Sequence, residues 1–357
     1  GFYDNHIHLG IGGRDGPGAA IWTEADLRPV LEEQAAKVPK GEWIVGTLVR
    51  PYWHMKMPTR KVIDAIVSDH PVALNQTHKM SVNSLALERA GMTKETPNPE
   101  GGWIVREESG EPSGVLFEAP AKRLVTRVMP DEEGNLDDET ARENLRRDLE
   151  KFAPMGVTSV NVAGMRPNTF RFLQDVYERY GDDLPRMTMQ VRLSPGYDVF
   201  DDIEEGVKVS IEELEALGVK TGFGNDRLKY GAVKLSIDGG IAAPDFWSIE
   251  PYDGQVRYEE HGPFEDPDFH GVTRIPEDAL YPVAKRAHEL GWQLGIHAIG
   301  DAAVAMTVDV LDRILEESPR PDHRHFVHHV TLLPPEETLR KMAEDDIIAA
   351  SQPNFTY

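Results

Sequence analysis

The chain has 357 residues, 40% of them hydrophobic and 28% charged, with a formal net charge of −23 at pH 7 and no cysteine. Such a length can fill one large barrel or two ordinary domains around a sizeable core. The acidic balance argues against nucleic acid or an anionic membrane surface as partner. The lack of cysteine removes disulfides and thiolate ligands, so a metal site would have to use His, carboxylate or a modified Lys. No apolar run approaches the roughly 18 residues of a spanning helix and no secretory signal is visible, which leaves cytoplasm as the default compartment.

In chain order, the first strand-like run is Phe2 to Leu9, which carries His6 and His8. Side chains alternate along a strand, so these two imidazoles project to one side and can hold one metal ion. Residues 10–150 follow a different rhythm, with strands expected at Trp43 to Val49 and Pro71 to Gln76, helices at Glu24 to Ala36 and Asp138 to Phe152, and a Gly/Pro-rich stretch from Thr96 to Gly102. This segment is expected to form an inserted α+β subdomain over the barrel mouth. Strand-like runs then recur at Val157 to Val162, Met187 to Leu193, Tyr230 to Ile237, Gln293 to Ala298, His325 to Val330 and Ile347 to Ser351. Helical patterns alternate with them at Asn168 to Tyr180, Ile211 to Leu217, Pro276 to Leu290, Ala302 to Glu317 and Pro335 to Ala343.

Continuous apolar strands alternating with helices imply a buried parallel sheet. The expected fold is α/β, a (β/α)8 TIM-type barrel truncated before strand 8, with the barrel in residues 1–9 and 151–357. The chain starts at Gly1 and ends at Tyr357, directly after a strand-like run, and both ends read as cuts within a longer protein.

Further candidate ligands lie on these later runs: His297 in Gly295-Ile296-His297-Ala298 and His329 in Val327-His328-His329-Val330. Lys234 sits in Val233-Lys234-Leu235, where a charged amine would be costly to bury and would be repelled by a metal site. One resolution is reaction with carbon dioxide to give a carbamate that bridges two ions. The other is a lysine snorkelling at the strand end or paired with Asp238.

Several segments, taken together and in order, resemble amidohydrolase family 3, the YtcJ-like and N-substituted formamide deformylase-like branch of the metal-dependent amidohydrolase superfamily. They are Gly1 to Leu9, Val82-Asn83-Ser84-Leu85-Ala86-Leu87, Gly101-Gly102-Trp103-Ile104, Gly110 to Leu116, Val233-Lys234-Leu235 with Asp238-Gly239, His297-Ala298-Ile299-Gly300-Asp301 and Ser351-Gln352-Pro353. The resemblance implies that His6 and His8 bind the more buried ion and His297 and His329 the more exposed one, with carboxylated Lys234 between them. The implied ions are zinc, two in number, with iron, manganese or nickel as other candidates. The implied reaction is hydrolysis of a non-peptide C–N bond in a small-molecule amide, formamide or cyclic amide by metal-activated hydroxide. Lys234, His297 and His78 are the implied catalytic residues; His78, in Gln76-Thr77-His78-Lys79, resembles a histidine that can contact substrate, and a purely structural role is the other reading.

The family has Glu where this chain has His328. Strand alternation puts His325 and His329 on one face and turns His328 away, which makes His328 a packing or supporting residue. The family's strand-eight aspartate, a metal ligand and proton shuttle, and its small β-sandwich built from both chain ends, have no counterpart here. Asp301 is expected to cap the next helix and Asp4 to fix a loop or to support a ligand from behind. Trp22, Trp53, His54 and Trp103 can shape an apolar pocket or pack a core, whereas His261 and His270 receive no role. A lactonase or esterase using the same ligands, and a non-catalytic regulatory relative, are the alternative functions. A homodimer is one expected assembly, since dimers are frequent among soluble enzymes.

Overall fold

The computed structural model describes residues 1–9, 19–49, 56–130, 139–241, 245–252 and 266–352. Trp53, His54, His261 and Pro353 of the sequence analysis lie outside these residues. The elements in chain order are β1 (Phe2–Ile7), β2 (Ala19–Ile21), α1 (Glu24–Ala35), β3 (Ile44–Leu48), α2 (Arg60–Asp64), β4 (Val72–Asn75), β5 (Lys79–Val82), α3 (Ser84–Arg89), β6 (Trp103–Arg106), β7 (Pro112–Phe117) and α4 (Glu118–Thr126). They continue as α5 (Glu139–Glu150), β8 (Val157–Met165), α6 (Thr169–Tyr180), β9 (Arg186–Arg192), α7 (Ile203–Ala216), β10 (Leu228–Ser236), α8 (Glu277–Glu289), β11 (Leu294–Ala298), α9 (Asp301–Glu317), β12 (Phe326–His329), α10 (Glu336–Glu344) and β13 (Ile348–Ala350).

Two sheets organise the chain. One has seven parallel strands in the order β1-β8-β9-β10-β11-β12-β13, each joined to the next by a crossover. Its strands read as apolar runs because one face packs on α6, α8 and α9 while the other lines the interior. Val160, Met187, Met189, Leu235, Ile296 and Val327 join one cluster with Ala284, Val308 and Ile314 of the helices. Each large aliphatic residue so buried contributes roughly 1.5–3 kcal/mol. The sheet curls: the His6 ring of β1 lies 4.5 Å, centroid to centroid, from that of His328 on β12, five strands away in the order.

The other sheet is mixed, with six strands in the order β2-β3-β4-β5-β7-β6, and falls within the segment expected as an insertion. Its strands alternate between two clusters, Ile44, Leu48, Val72 and Leu74 on one face and Ala73, Met80, Val82 and Leu116 on the other. Helix α5, grouped with the insertion in the sequence analysis, sends Leu145 and Leu149 into the barrel-side cluster. Helix α7 starts eight residues before the expected Ile211, because Asp202 caps it by accepting the Glu204 and Glu205 N–H groups at 2.9 and 3.4 Å. Among the described residues, no helix is long and apolar enough to cross a membrane.

Candidate metal centre

Parallel strands deliver their C-terminal ends to one rim, and four of the predicted ligands stand there. His6 is near the end of β1 with His8 just beyond it, His297 is near the end of β11, and His329 closes β12. The His6 Nε2 and His8 Nε2 atoms are 3.2 Å apart. Two imidazole nitrogens sharing one tetrahedral ion at 2.0–2.1 Å would be about 3.3 Å apart, so this pair already has ligand spacing. The His6 and His329 ring centroids are 4.7 Å apart, and those of His297 and His329 4.6 Å.

On three of these rings a neighbour engages one nitrogen. His6 Nδ1 lies 3.0 Å from His328 Nδ1, and His328 Nε2 lies 3.1 Å from Gln190 Oε1. A His328 proton donated to Gln190 leaves its Nδ1 as acceptor for the His6 Nδ1–H. His297 Nε2 donates to the Gly239 carbonyl at 3.1 Å, with Asp238 Oδ1 at 3.3 Å. His329 Nδ1 donates to Gln352 Oε1 at 2.5 Å. Such partners orient ligating imidazoles and set their tautomer. The rings are also neutral, the form that binds metal: burial above all pushes His6 down to about 2 and His8 to about 4. Burial and then His297 push His329 down to about 2.

Lys234 is 3% exposed, inside the sheet between Arg192 of β9 and Gly295 of β11. Burial, then the cations Arg192 and Arg274, hold its amine well below the usual lysine range. The expected alternative pairing with Asp238 is not realised, since that carboxylate accepts the N–H groups of Trp247, Ile299 and Gly300 at 3.1, 3.1 and 2.8 Å. Room for the lysine stem comes from Gly164 (φ +107°), where a Cβ would lie 3.0 Å from Lys234 Cγ.

His328 requires a correction. Its ring points into the barrel against His6 and Gln190, whereas His325 points outward to α8, where His288 Nδ1 is 2.8 Å from His325 Nε2. Alternation along β12 therefore places 326 and 328 inward. His329 reaches the site only because the backbone turns left-handed there, with φ of 76° at His329 and 46° at Val330. Strain of this kind costs about 1–3 kcal/mol per residue and is stored where function needs a particular side-chain direction. Asp301 stands at the first position of α9, after the N-cap Gly300; its Oδ1 accepts the first-turn Ala302 N–H at 3.0 Å, in keeping with the expected capping role, and also the Ile249 N–H at 2.9 Å, tying down a loop. Asp4 Oδ1 accepts the His6 N–H at 3.2 Å.

His78 comes from the other sheet, in the turn between β4 and β5, and meets a group that sequence reasoning missed. Its Nδ1 is 2.6 Å from Glu118 Oε1 and 3.2 Å from Arg274 Nη2, while Arg274 also donates to Glu118 Oε2. Ligand-type atoms of His78, Glu118 and Asp245 lie within 4.8 Å of one another, a spacing that suits a cation. The Arg274 guanidinium already supplies that positive charge, so the cluster is an ion-pair clamp between the segment of the six-stranded sheet and that of the seven-stranded one. Trp103 is half buried beside Phe269, with ring centroids 6.3 Å apart, in a cleft of about 830 Å³ at the same junction. Trp22 is exposed, and His270 Nδ1 is 3.1 Å from the Ser248 carbonyl. Glu118, Arg274, Gln190 and Gln352 carry no spacing signal of their own. Gln190 lies within the expected strand Met187 to Leu193 and Gln352 within Ser351-Gln352-Pro353, and neither segment pointed to these side chains as partners of the histidines.

A curled parallel α/β sheet with a histidine-rich rim at its strand ends is the class these features define. The chain matches the amidohydrolase family over residues 1–357 and belongs to it. It is 26% identical over 374 aligned residues to the putative amidohydrolase YtcJ of Bacillus subtilis (strain 168), covering 99% of this chain and 62% of that protein. It is 28% identical to protein LONG AFTER FAR-RED 3 of Arabidopsis thaliana, over 99% of this chain and 58% of that one. With the N-substituted formamide deformylase of Arthrobacter pascens the identity is 25%, over 89% of this chain and 56% of the enzyme. The chain thus spans about three-fifths of the length of these relatives. Among solved structures, an uncharacterized metal-dependent hydrolase from Pyrococcus horikoshii OT3 superposes with a TM-score of 0.62 at 23% identity, covering 99% of this chain and 62% of that one, a likeness of fold.

Proposed function

We propose that this chain carries the metal centre of a hydrolase that cleaves a non-peptide C–N bond in a small-molecule amide, formamide or cyclic amide. The observation that carries the reading is the convergence of four neutral imidazoles, His6, His8, His297 and His329, three of them with one nitrogen already engaged by a neighbour. These residues would hold two divalent ions, zinc by preference for an all-nitrogen and carboxylate-type donor set, with Lys234 between them as a carbamate. Bound ions would supply the Lewis acidity that makes water nucleophilic near neutral pH and polarises the substrate carbonyl. The chain's own contribution is to hold the rings at ligand spacing and to keep the amine of Lys234 uncharged, the form that reacts with carbon dioxide. The deformylase relative supports C–N bonds over esters as the target.

Elemental analysis of protein purified without chelators, paired with a panel of amides, formamides, cyclic amides and lactones, tests the reading. About two equivalents of metal and turnover confined to C–N substrates are expected; lactone turnover alone would move the assignment to an esterase, and no bound metal would overturn it. The supporting role of His328 has its own measurement. His328→Ala is expected to weaken metal binding about 10–100-fold in a chelator competition, with stoichiometry unchanged, because the His6 tautomer loses its partner. Loss of a whole equivalent would instead make His328 a ligand.

A further inference from the structure

Glu118 opens α4 in a left-handed conformation, φ 63°, although it is neither glycine nor exposed. That backbone is unfavourable for a glutamate, and here it accompanies a close embrace of His78. The Glu118 N–H donates to the His78 carbonyl at 2.7 Å, and the Glu118 carboxylate takes the His78 Nδ1–H at 2.6 Å. Arg274 saturates the second carboxylate oxygen. Burial opposes a charge on Glu118, but Arg274 and His78 outweigh it and keep the group ionised. Asp245, which accepts the Gly240 N–H at 2.8 Å, is driven the other way by burial and by Glu118, well above the carboxylate range. A carboxylate that is anionic and acceptor-only fixes the ring beside it as the Nδ1–H tautomer.

The opposite edge of the ring faces the rim. His78 Cε1 and Nε2 lie against the α-carbon of Gly240, where a Cβ would come within 2.4 and 2.5 Å of them. Gly240 follows Gly239, whose carbonyl holds His297 Nε2. The ring is 18% exposed, while Glu118 behind it is 2% exposed, so of the pair the imidazole is the group a ligand can reach.

We propose that the Glu118–Arg274 pair locks His78 Nε2 as a hydrogen-bond acceptor beside the metal rim, and that this acceptor selects substrates whose scissile nitrogen carries a hydrogen. The inference rests on the C–N hydrolase reading and names its substrate class: N-monosubstituted amides, over N,N-disubstituted amides and esters of the same shape. Glu118 and Arg274 act as positioning residues, and His78 touches the substrate. An acceptor left unpaired by an N-alkylated amide or an ester is desolvated without return, which is how sites built to bond a polar hydrogen reject analogues that lack it.

The test has two readouts. In protein labelled with 15N at histidine, with His78→Asn identifying the signals, His78 Nε2 is expected to be unprotonated and Nδ1 protonated. In Glu118→Gln, whose amide can donate to Nδ1, the tautomer is expected to reverse. A wild-type spectrum with the proton on Nε2 would overturn the proposal, whether or not the variant folds. For turnover, N-butylformamide, N-butyl-N-methylformamide and butyl formate are compared. The wild type is expected to favour the first by about 10²-fold in kcat/KM, and Glu118→Gln to erase that preference. Equal turnover of all three overturns the acceptor role while leaving the hydrolase intact; a chain that binds no metal loses the hydrolase reading, and the spectrum still decides the tautomer.

Discussion

Replacing Lys234 with methionine is expected to lower kcat/KM by about 10³-fold or more while leaving the metal-free protein at least as stable as its parent. The two halves of this expectation follow from one fact, that Lys234 is buried with Arg192 and Arg274 as the charges that weigh on it. A buried amine surrounded by cations costs desolvation and offers no ion-pair return, so an unbranched apolar side chain of similar length removes a cost. If Lys234 bridges two ions, its loss removes one of them, and about 4 kcal/mol of transition-state stabilisation corresponds to about 10³ in rate. Metal content, thermal midpoint without metal and turnover, measured on the same preparations, decide it. A variant that keeps both ions and full activity would make Lys234 a structural residue.

Acid should destabilise this fold earlier than its carboxylates alone would require, and His325 is a principal cause. The Leu294 N–H donates to His325 Nδ1 at 3.0 Å, so His325 carries its proton on Nε2 and donates it to His288 Nδ1 at 2.8 Å; His288 Nε2 then donates to the Ser318 carbonyl at 2.8 Å. Every ring nitrogen is used with both rings neutral, and a further proton would have to displace an existing hydrogen bond. Burial first, then His323 and Arg320, pushes His325 down to about 2. The unfolded chain takes up this proton near pH 6.5 and the folded chain does not, so stability is undiminished above about pH 6.5 and falls as pH drops from there toward 2. The slope for one such group is about 1.4 kcal/mol per pH unit, or about 2.7 kcal/mol at pH 4.5. His325→Asn keeps an acceptor for Leu294 and removes the titrating ring. Between pH 7 and 4.5 denaturant titrations of the variant should lose about 2–3 kcal/mol less than the parent; parallel curves would show that His325 carries no such burden.

The strands of the parallel sheet, their alternation with helices, and the placing of His6, His8, His297 and His329 at or near strand ends were legible in the chain, as was the oddity of Lys234 within a buried strand. They depend on local patterning: apolar runs of strand length, period-two spacing in His6-x-His8, and a lysine that stands out among Val and Leu. Helix boundaries set by a distant or unexpected cap were less legible, as at α7, where Asp202 rather than the apolar pattern decides the start.

What the sequence could not supply is everything decided by the closure of distant elements on one another. Alternation mispoints His328 because the direction of His329 is set by a left-handed backbone at the strand end, and φ is not read from residue type unless the residue is glycine. The partners Gln190, Gly239 and Gln352 come to the histidines from other strands and loops, and Glu118 and Arg274, 156 residues apart, meet only when the six-stranded sheet docks on the barrel rim. Periodicity along a chain determines which face a residue belongs to; hydrogen bonds between faces require the geometry of the whole fold, and at this rim those bonds set the tautomer of the ring that each one orders.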